Sequence, residues 1–163
     1  MIKMKLFKMG VIITDKASAL SGMLTHIQIG SNKTPFYMFQ PRGINPETGL
    51  PVASQWIEEE RIESVIKEQY EVPYEVIGTM VTDNASGLQG IVTQITIHIS
   101  GCIHCVIQPK GIIRKTGDMI SAFDIDIYRL EGDKIPVMNK VEKKEAKKKN
   151  PSPAPMSSIT PRR

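Results

Sequence analysis

The sequence predicts an all-β fold in which two similar small antiparallel β-barrels follow one another along the chain. Three observations predict it: an internal duplication, a two-residue hydrophobic period, and very little helical periodicity. Gly10 to Glu63 aligns with Gly78 to Glu131 without a gap, and 19 of the 54 positions are identical. Because a repeat of this length is a whole supersecondary unit, each copy is expected to fold as one small module.

The clearest strand of the second copy is "GIVTQITIHIS", where alternating residue types predict one buried face. Ser100 and Gly101 predict a tight turn, and "CIHCVIQP" predicts the return strand of a hairpin. Pro109, like Pro41 in the first copy, is expected to end that strand, since proline cannot donate a backbone hydrogen bond. The residues expected to share the apolar face are Ile91, Thr93, Ile95, Ile97 and Ile99.

The remainder of each module is predicted from its turns. "GTMVTDNASGLQG" indicates a short strand and a loop in which an aspartate bonds its own turn. "KGIIRKTGDMIS" and "RGINPETGLPVAS" are expected to be loops with Thr-Gly turns, and "AFDIDIYRLEG" another alternating strand. Four or five short strands in some sixty residues match the size of an SH3-like barrel. The structural turn residues are Asp15, Gly22, Asp83, Gly90 and Gly101.

The segment between the copies, "EEERIESVIKEQYEVP", is the one place where helical spacing occurs. Its apolar residues Ile62, Val65, Ile66 and Tyr70 predict a short linker helix. The resulting division is a first barrel with its linker over residues 1–70, a second barrel over 71–138 and a C-terminal arm over 139–163.

The arm differs from the rest of the chain in composition and charge. Lys140 to Arg163 holds eight basic and two acidic residues, a charge of +6, which leaves −2 on the preceding residues of a chain with net charge +4. Such a lysine- and proline-rich arm is expected to be extended and to bind a partner. The residues predicted to make that contact are Lys143, Lys144, Lys147, Lys148, Lys149, Pro151, Pro153, Pro155, Arg162 and Arg163.

Several functional classes are disfavoured by composition. No apolar run approaches the length of a membrane helix, and lysines interrupt the first residues where a signal peptide would be apolar. Two cysteines are too few for a disulfide framework. We expect synthesis in the cytoplasm of a cell and no association with membrane.

The Cys-x-x-Cys pair at Cys102 and Cys105 could be a metal knuckle, a redox pair or neither. With His104 it offers three ligands where a structural zinc site needs four, and a redox pair needs a helix N-terminus instead of a strand. The first copy has Thr34 and Tyr37 at these positions. We therefore expect Cys105 to be a small core residue and predict no metal or cofactor.

No catalytic constellation is visible in the sequence. Glu58, Glu59 and Glu60 have no matching acidic run in the second copy and are typical of an exposed edge. The serines lack a histidine at a repeated offset, and there is no glycine-rich phosphate loop. Most aromatic side chains are expected to point inward, which disfavours base stacking but allows weak nonspecific attraction of the arm to nucleic acid. The protein is predicted not to be an enzyme.

The stretch "VTDNASGLQGIVT" followed by "GCIHCVIQP" resembles a group of small bacteriophage proteins that share the pattern D-x-x-S/T-G-x-x-G-I-V-T, then Gly-Cys, then V-Q-P. The first copy departs from it at Ala19 and lacks the Gly-Cys pair. The resemblance covers most of both repeats and implies a phage origin and a small barrel; it carries no active site. The matching residues are Asp83, Ser86, Gly87, Gly90, Ile91, Val92, Thr93, Gly101, Cys102, Gln108 and Pro109.

Two hypotheses follow. The first is a non-enzymatic virion protein, a capsid decoration or head–tail accessory protein, whose arm lies across neighbouring capsid or tail subunits and which could itself be a homo-oligomer. The alternative is an intracellular binding module for nucleic acid or a host protein, with the arm as its electrostatic anchor.

Overall fold

The structure of this protein is a computed structural model, and it describes residues 1–136. The regular structure of these residues is β-strand, apart from three short 3-10 turns at Glu59–Arg61, Tyr74–Val76 and Ile127–Arg129. The all-β prediction is confirmed. The strands are β1 (Ile2–Phe7), β2 (Ile12–Asp15), β3 (Ser21–Gly30), β4 (Pro35–Pro41), β5 (Gln55–Glu58), β6 (Ile62–Glu63), β7 (Lys67–Val72), β8 (Met80–Asp83), β9 (Gln89–His98), β10 (Ile103–Pro109), β11 (Phe123–Asp126) and β12 (Leu130–Glu131).

The strands of the first half recur 68 residues later. β2 to β6 pair in the order β6-β2-β3-β4-β5, and β8 to β12 pair in the corresponding order β12-β8-β9-β10-β11. β3 also pairs with β9, so all ten strands belong to one open sheet, while β1 and β7 form a separate ribbon. This differs from the expected pair of separate barrels, and the predicted boundary at residue 70 falls inside β7. Sequence pattern alone does not reveal which strand edges pair.

The two repeats are related by a local two-fold axis. In the β3–β9 pair, Gln28 lies opposite Thr96, and in the β1–β7 ribbon Lys3 lies opposite Glu71. Gln28 and Thr96 are equivalent in the aligned repeats, and Lys3 and Glu71, which precede the repeats, have the same separation of 68 residues. Antiparallel pairing of equivalent strands about equivalent residues is the geometry of an isologous dimer interface. The single chain therefore has the arrangement of a two-fold dimer.

A β-bulge occurs at the same threonine in both repeats. The register of β3 against β4 shifts between Leu24 and His26, which leaves Thr25 unpaired, and the register of β9 against β10 shifts so that Thr93 is unpaired. The Thr93 hydroxyl donates to Val106 O at 3.2 Å. The extra residue reverses the alternation of facing. The prediction that Ile91 and Thr93 share a face with Ile95 is therefore wrong.

The core runs through both repeats without a break. Buried side chains from β3 and β4, such as Ile27 and Tyr37, belong to the same hydrophobic cluster as Ile95 of β9. The ribbon of β1 and β7 contributes to this cluster through Phe7, whose ring meets Tyr37 edge-on at 5.8 Å between ring centroids, and through Val72.

The linker does not contain the predicted helix. Val65 is 96% exposed, and Tyr70 lies in β7, which pairs with β1 along its whole length. The backbone hydrogen bonds offered by β1 outweigh a weak helical spacing, because local propensity is readily overridden by tertiary context. "AFDIDIYRLEG" is likewise divided, since a 3-10 turn separates β11 from β12.

Candidate functional site

Each repeat contains a buried aspartate that holds a turn and an arginine together. Asp83 is fully buried and accepts hydrogen bonds from the backbone and hydroxyl of Ser86, while Arg129 donates to both of its carboxylate oxygens at 3.0 and 2.6 Å. Asp15 makes the same contacts with Ser18 and Arg61. Hydrogen bonding from the arginine is the main cause that lowers the pKa of each aspartate well below its usual range. Each aspartate thus lies at its turn, and its arginine joins that turn to a residue 46 positions further along the chain.

The predicted turn glycines have two different roles. Gly22 and Gly90 lie in β3 and β9, where a Cβ would meet backbone and side-chain atoms at 2.4 to 2.9 Å. They are required by close packing rather than by a turn. Gly101 has φ of 87°, in the left-handed region, and ends the hairpin turn after β9.

The Gln-Pro pair shared by the repeats explains how their long loops are held. The amide of Gln40 donates to Val52 O at 2.6 Å, and that of Gln108 donates to Ile120 O at 2.7 Å. Each glutamine therefore closes the base of the loop that follows it. The loops at residues 42–54 and 110–122 expose apolar side chains, including Ile44 at 67% and Met119 at 68%.

The two cysteines do not share a site. Cys105 is fully buried in β10, in phase with Ile107, and burial raises the pKa of its thiol to about 12. Cys102 is exposed before the strand. This confirms that Cys105 is a core residue.

The three histidines of the chain lie in a row on the face of the sheet opposite the core. The rings of His26 and His98, which face each other across β3 and β9, have centroids 4.3 Å apart, and His98 and His104 are 4.4 Å apart. The carboxylate of Asp124 on β11 lies within hydrogen-bond distance of His104 Nδ1, at 3.2 Å. We call His98, His104 and Asp124 the histidine cluster, because each can bring one metal-binding atom within 4.8 Å of the others.

His98 is the most confined member of the cluster. Its Nε2 is buried and has no hydrogen-bond partner among the described residues. Burial lowers the pKa of His98, and the neighbouring His26 and His104 lower it further against the opposing effect of Asp124 and Asp126. Burial likewise lowers the pKa of His26. The uncharged imidazole is therefore the favoured form of both rings at neutral pH.

The sequence contained only part of the signal for this cluster. Alternation along β9 placed His98 on the face opposite Ile97, but nothing local indicated that β3 would bring His26 beside it or that β11 would bring Asp124 beside His104. The cluster was missed because only the β9–β10 hairpin was predictable, whereas the pairings of β3 with β9 and of β10 with β11 were not.

Two other predictions concern surfaces. Five of the nine aromatic side chains are buried or packed against the core, as predicted, whereas Phe36, Trp56, Phe123 and Tyr128 are between 36% and 64% exposed. Glu58 and Glu60 are exposed at an edge, as predicted, whereas Glu59 is partly buried and pairs with Lys67. The predicted partner-binding residues of the arm lie outside the described residues.

Comparison with models of protein families, with curated proteins and with solved structures finds no match. Within residues 1–136, no helix has the length and apolar character needed to cross a membrane. The fold and its contacts define a class of protein: a β-sheet scaffold of two repeats, with one long loop in each repeat held at its base by a glutamine and with a histidine cluster on the surface.

Proposed function

We propose that this protein is a non-enzymatic structural component of a bacteriophage particle, a capsid decoration or head–tail accessory protein that binds other virion proteins. In this proposal each repeat is an SH3-like small barrel that has opened and joined its copy through β3 and β9. The strand order shared by the two repeats supports that relationship. The phage origin rests on the resemblance of the second repeat to small phage proteins.

The pair of clamped loops is the observation that carries the proposal. Ile44 and Leu50 in the first loop and Ile112 and Met119 in the second are each at least 60% exposed. Large apolar side chains exposed together on a loop are typical of protein-binding surfaces. Because Gln40 and Gln108 hold the loop bases, little conformational entropy is lost when the loops dock.

The two-fold arrangement and the basic arm suit a particle surface. Two equivalent loops allow one chain to contact two subunits of a regular lattice, so the second contact forms at high effective concentration. The arm, with its Lys147–Lys149 run, would add attraction to acidic surfaces of neighbouring subunits.

The test is co-sedimentation with purified phage particles. The parent protein is expected to be present in virions, and replacing Ile112 and Met119 by Ser is expected to weaken its binding to particles that lack it. The same exchange at Val65, which is 96% exposed outside both loops, is the matched control and should leave binding unchanged. Serine in place of the arm lysines tests the arm in the same assay. Virions that contain none of the protein, or loop variants that bind as tightly as the parent, would refute the proposal.

Nucleic-acid binding is the second candidate, and one observation favours it. Trp56 and Phe36 are exposed at 39% and 36%, and the Trp56 ring lies 6.3 Å from that of His26. Exposed rings of this kind can stack on bases while a basic arm contacts phosphates. This function predicts oligonucleotide affinity that falls steeply with salt and is reduced by Trp56→Ala. Negligible binding at low salt would exclude it.

A further inference from the structure

The histidine cluster is a chemical feature that the proposed structural role does not use. Its donor set is two imidazoles and one carboxylate, projected from β9, β10 and β11 onto the outer face of the sheet. Strands fix the spacing of such side chains more firmly than loops do.

We propose that His98, His104 and Asp124 bind a divalent transition-metal ion of the zinc type, with at least one coordination position left open. Imidazole nitrogen and carboxylate oxygen are ligands that Zn²⁺ accepts, and three protein ligands leave a fourth position of the tetrahedron free. This inference is independent of the proposed virion role.

The distances are compatible with closure on an ion. A tetrahedral zinc site with bonds of about 2.0–2.1 Å has ligand atoms roughly 3.3 Å apart. The potential ligand atoms already lie within 4.8 Å of one another, and His104 Nδ1 is 3.2 Å from Asp124 Oδ2. Small side-chain rotations therefore suffice, without movement of the strands.

The surroundings of the proposed ligands also fit. His98 Nε2 is buried without a hydrogen-bond partner among residues 1–136, which is costly unless something binds there. Asp126 Oδ2 lies 4.0 Å from His104 Nε2, so a second carboxylate borders the cluster. The His26 ring packs on His98 and lies outside the set of mutually close ligand atoms, so it positions His98 rather than binding the ion.

The first repeat provides an internal comparison. The residues equivalent to His98, His104 and Asp124 are Gly30, Phe36 and Trp56, which offer no side-chain metal ligand. The fold therefore does not require the cluster. Residues kept in both repeats, such as the Asp–Arg pairs, maintain the scaffold, whereas the cluster occupies positions at which the repeats differ.

The experiment is metal titration of the full-length chain, freed of metal by a chelator and then dialysed. Zn²⁺ binding is measured by calorimetry, and Co²⁺ binding by its visible absorption. The parent is expected to bind one ion per chain, with a tetrahedral Co²⁺ spectrum that lacks sulfur-to-metal charge-transfer bands. His104→Phe, which installs the residue of the first repeat, and Asp124→Asn are expected to weaken binding more than about 100-fold, since even residues behind the ligands change metal affinity 10–100-fold.

One variant serves as the control. Cys102→Ser, at an exposed residue outside the cluster, should retain one bound ion per chain. Circular dichroism and thermal unfolding confirm that each variant is folded. The proposal is overturned if the folded parent binds no Zn²⁺, if His104→Phe binds as tightly as the parent, or if Cys102→Ser abolishes binding.

Discussion

The glycines at the start of β3 and β9 allow the sharpest stability prediction. A Cβ at Gly22 would lie 2.4 Å from Gln40 O and 2.5 Å from the Phe39 ring, whereas ordinary contacts lie at 3.4–4 Å. Because backbone and a fully buried ring form this contact, neither can move away freely. Overpacking of this kind costs about 1–3 kcal/mol, and an overlap near 1 Å with backbone places Gly22→Ala at the upper end.

Gly30 at the other end of β3 is the matched control. A Cβ there would meet only Asn32 Oδ1 at 3.8 Å and Gln94 Cγ at 4.0 Å. Without a clash, Gly→Ala restricts the unfolded chain and is neutral or stabilises by up to about 1 kcal/mol. Thermal unfolding followed by circular dichroism should therefore show a Tm lower by roughly 10 °C for Gly22→Ala and an unchanged or slightly higher Tm for Gly30→Ala. Equal Tm values for the two variants would refute the packing argument.

Three further predictions concern features shared by the repeats or specific to one. The pKa values of Asp15 and Asp83 are lowered in the folded state, so the two aspartates stabilise the fold above the ordinary carboxyl pKa and lose this effect as the pH falls below it. The free energy of unfolding, measured with urea from pH 7 to about pH 2, should therefore fall in the parent and change less in the variant with both aspartates replaced by Asn. A parent whose stability is constant over that range would contradict it. At pH 8 a thiol reagent should modify Cys102 rapidly and Cys105 only after unfolding, because burial raises the pKa of Cys105 to about 12; two equally fast thiols would contradict this. Gln108→Ala removes two hydrogen bonds at a cost of about 1–3 kcal/mol and should speed amide hydrogen exchange in residues 110–122 but not in residues 42–54. Gln40→Ala should have the converse effect, and equal exchange in both loops would show that the glutamines do not hold the loop bases.

The sequence predicted the local parts of the fold and missed the non-local ones. The hairpin at Gly101, the strand ends at Pro41 and Pro109 and the turn at Asp83 were all predictable, because each depends on neighbouring residues. The β7 strand was predicted as a helix because its partner β1 lies more than sixty residues away.

The candidate site was predicted less well, for the same physical reason. The position of His98 on the polar face of its strand followed from alternation, and the burial of Cys105 from its phase with Ile107. The β9–β10 hairpin was predicted, but the pairings of β3 with β9 and of β10 with β11, which complete the surroundings of the cluster, are specified by no local pattern. The bulge at Thr93 also reversed the expected facing of Ile91.

The local two-fold axis between Gln28 and Thr96 has a consequence for how this molecule can specialise. In a dimer of identical subunits every substitution appears twice, so the two ends must stay chemically alike. Here both halves are encoded in one chain, and each can change alone. One end thus has aromatic side chains at Phe36 and Trp56 where the other has His104 and Asp124. Covalent fusion gives an approximately symmetric scaffold two distinct ends, and therefore a direction.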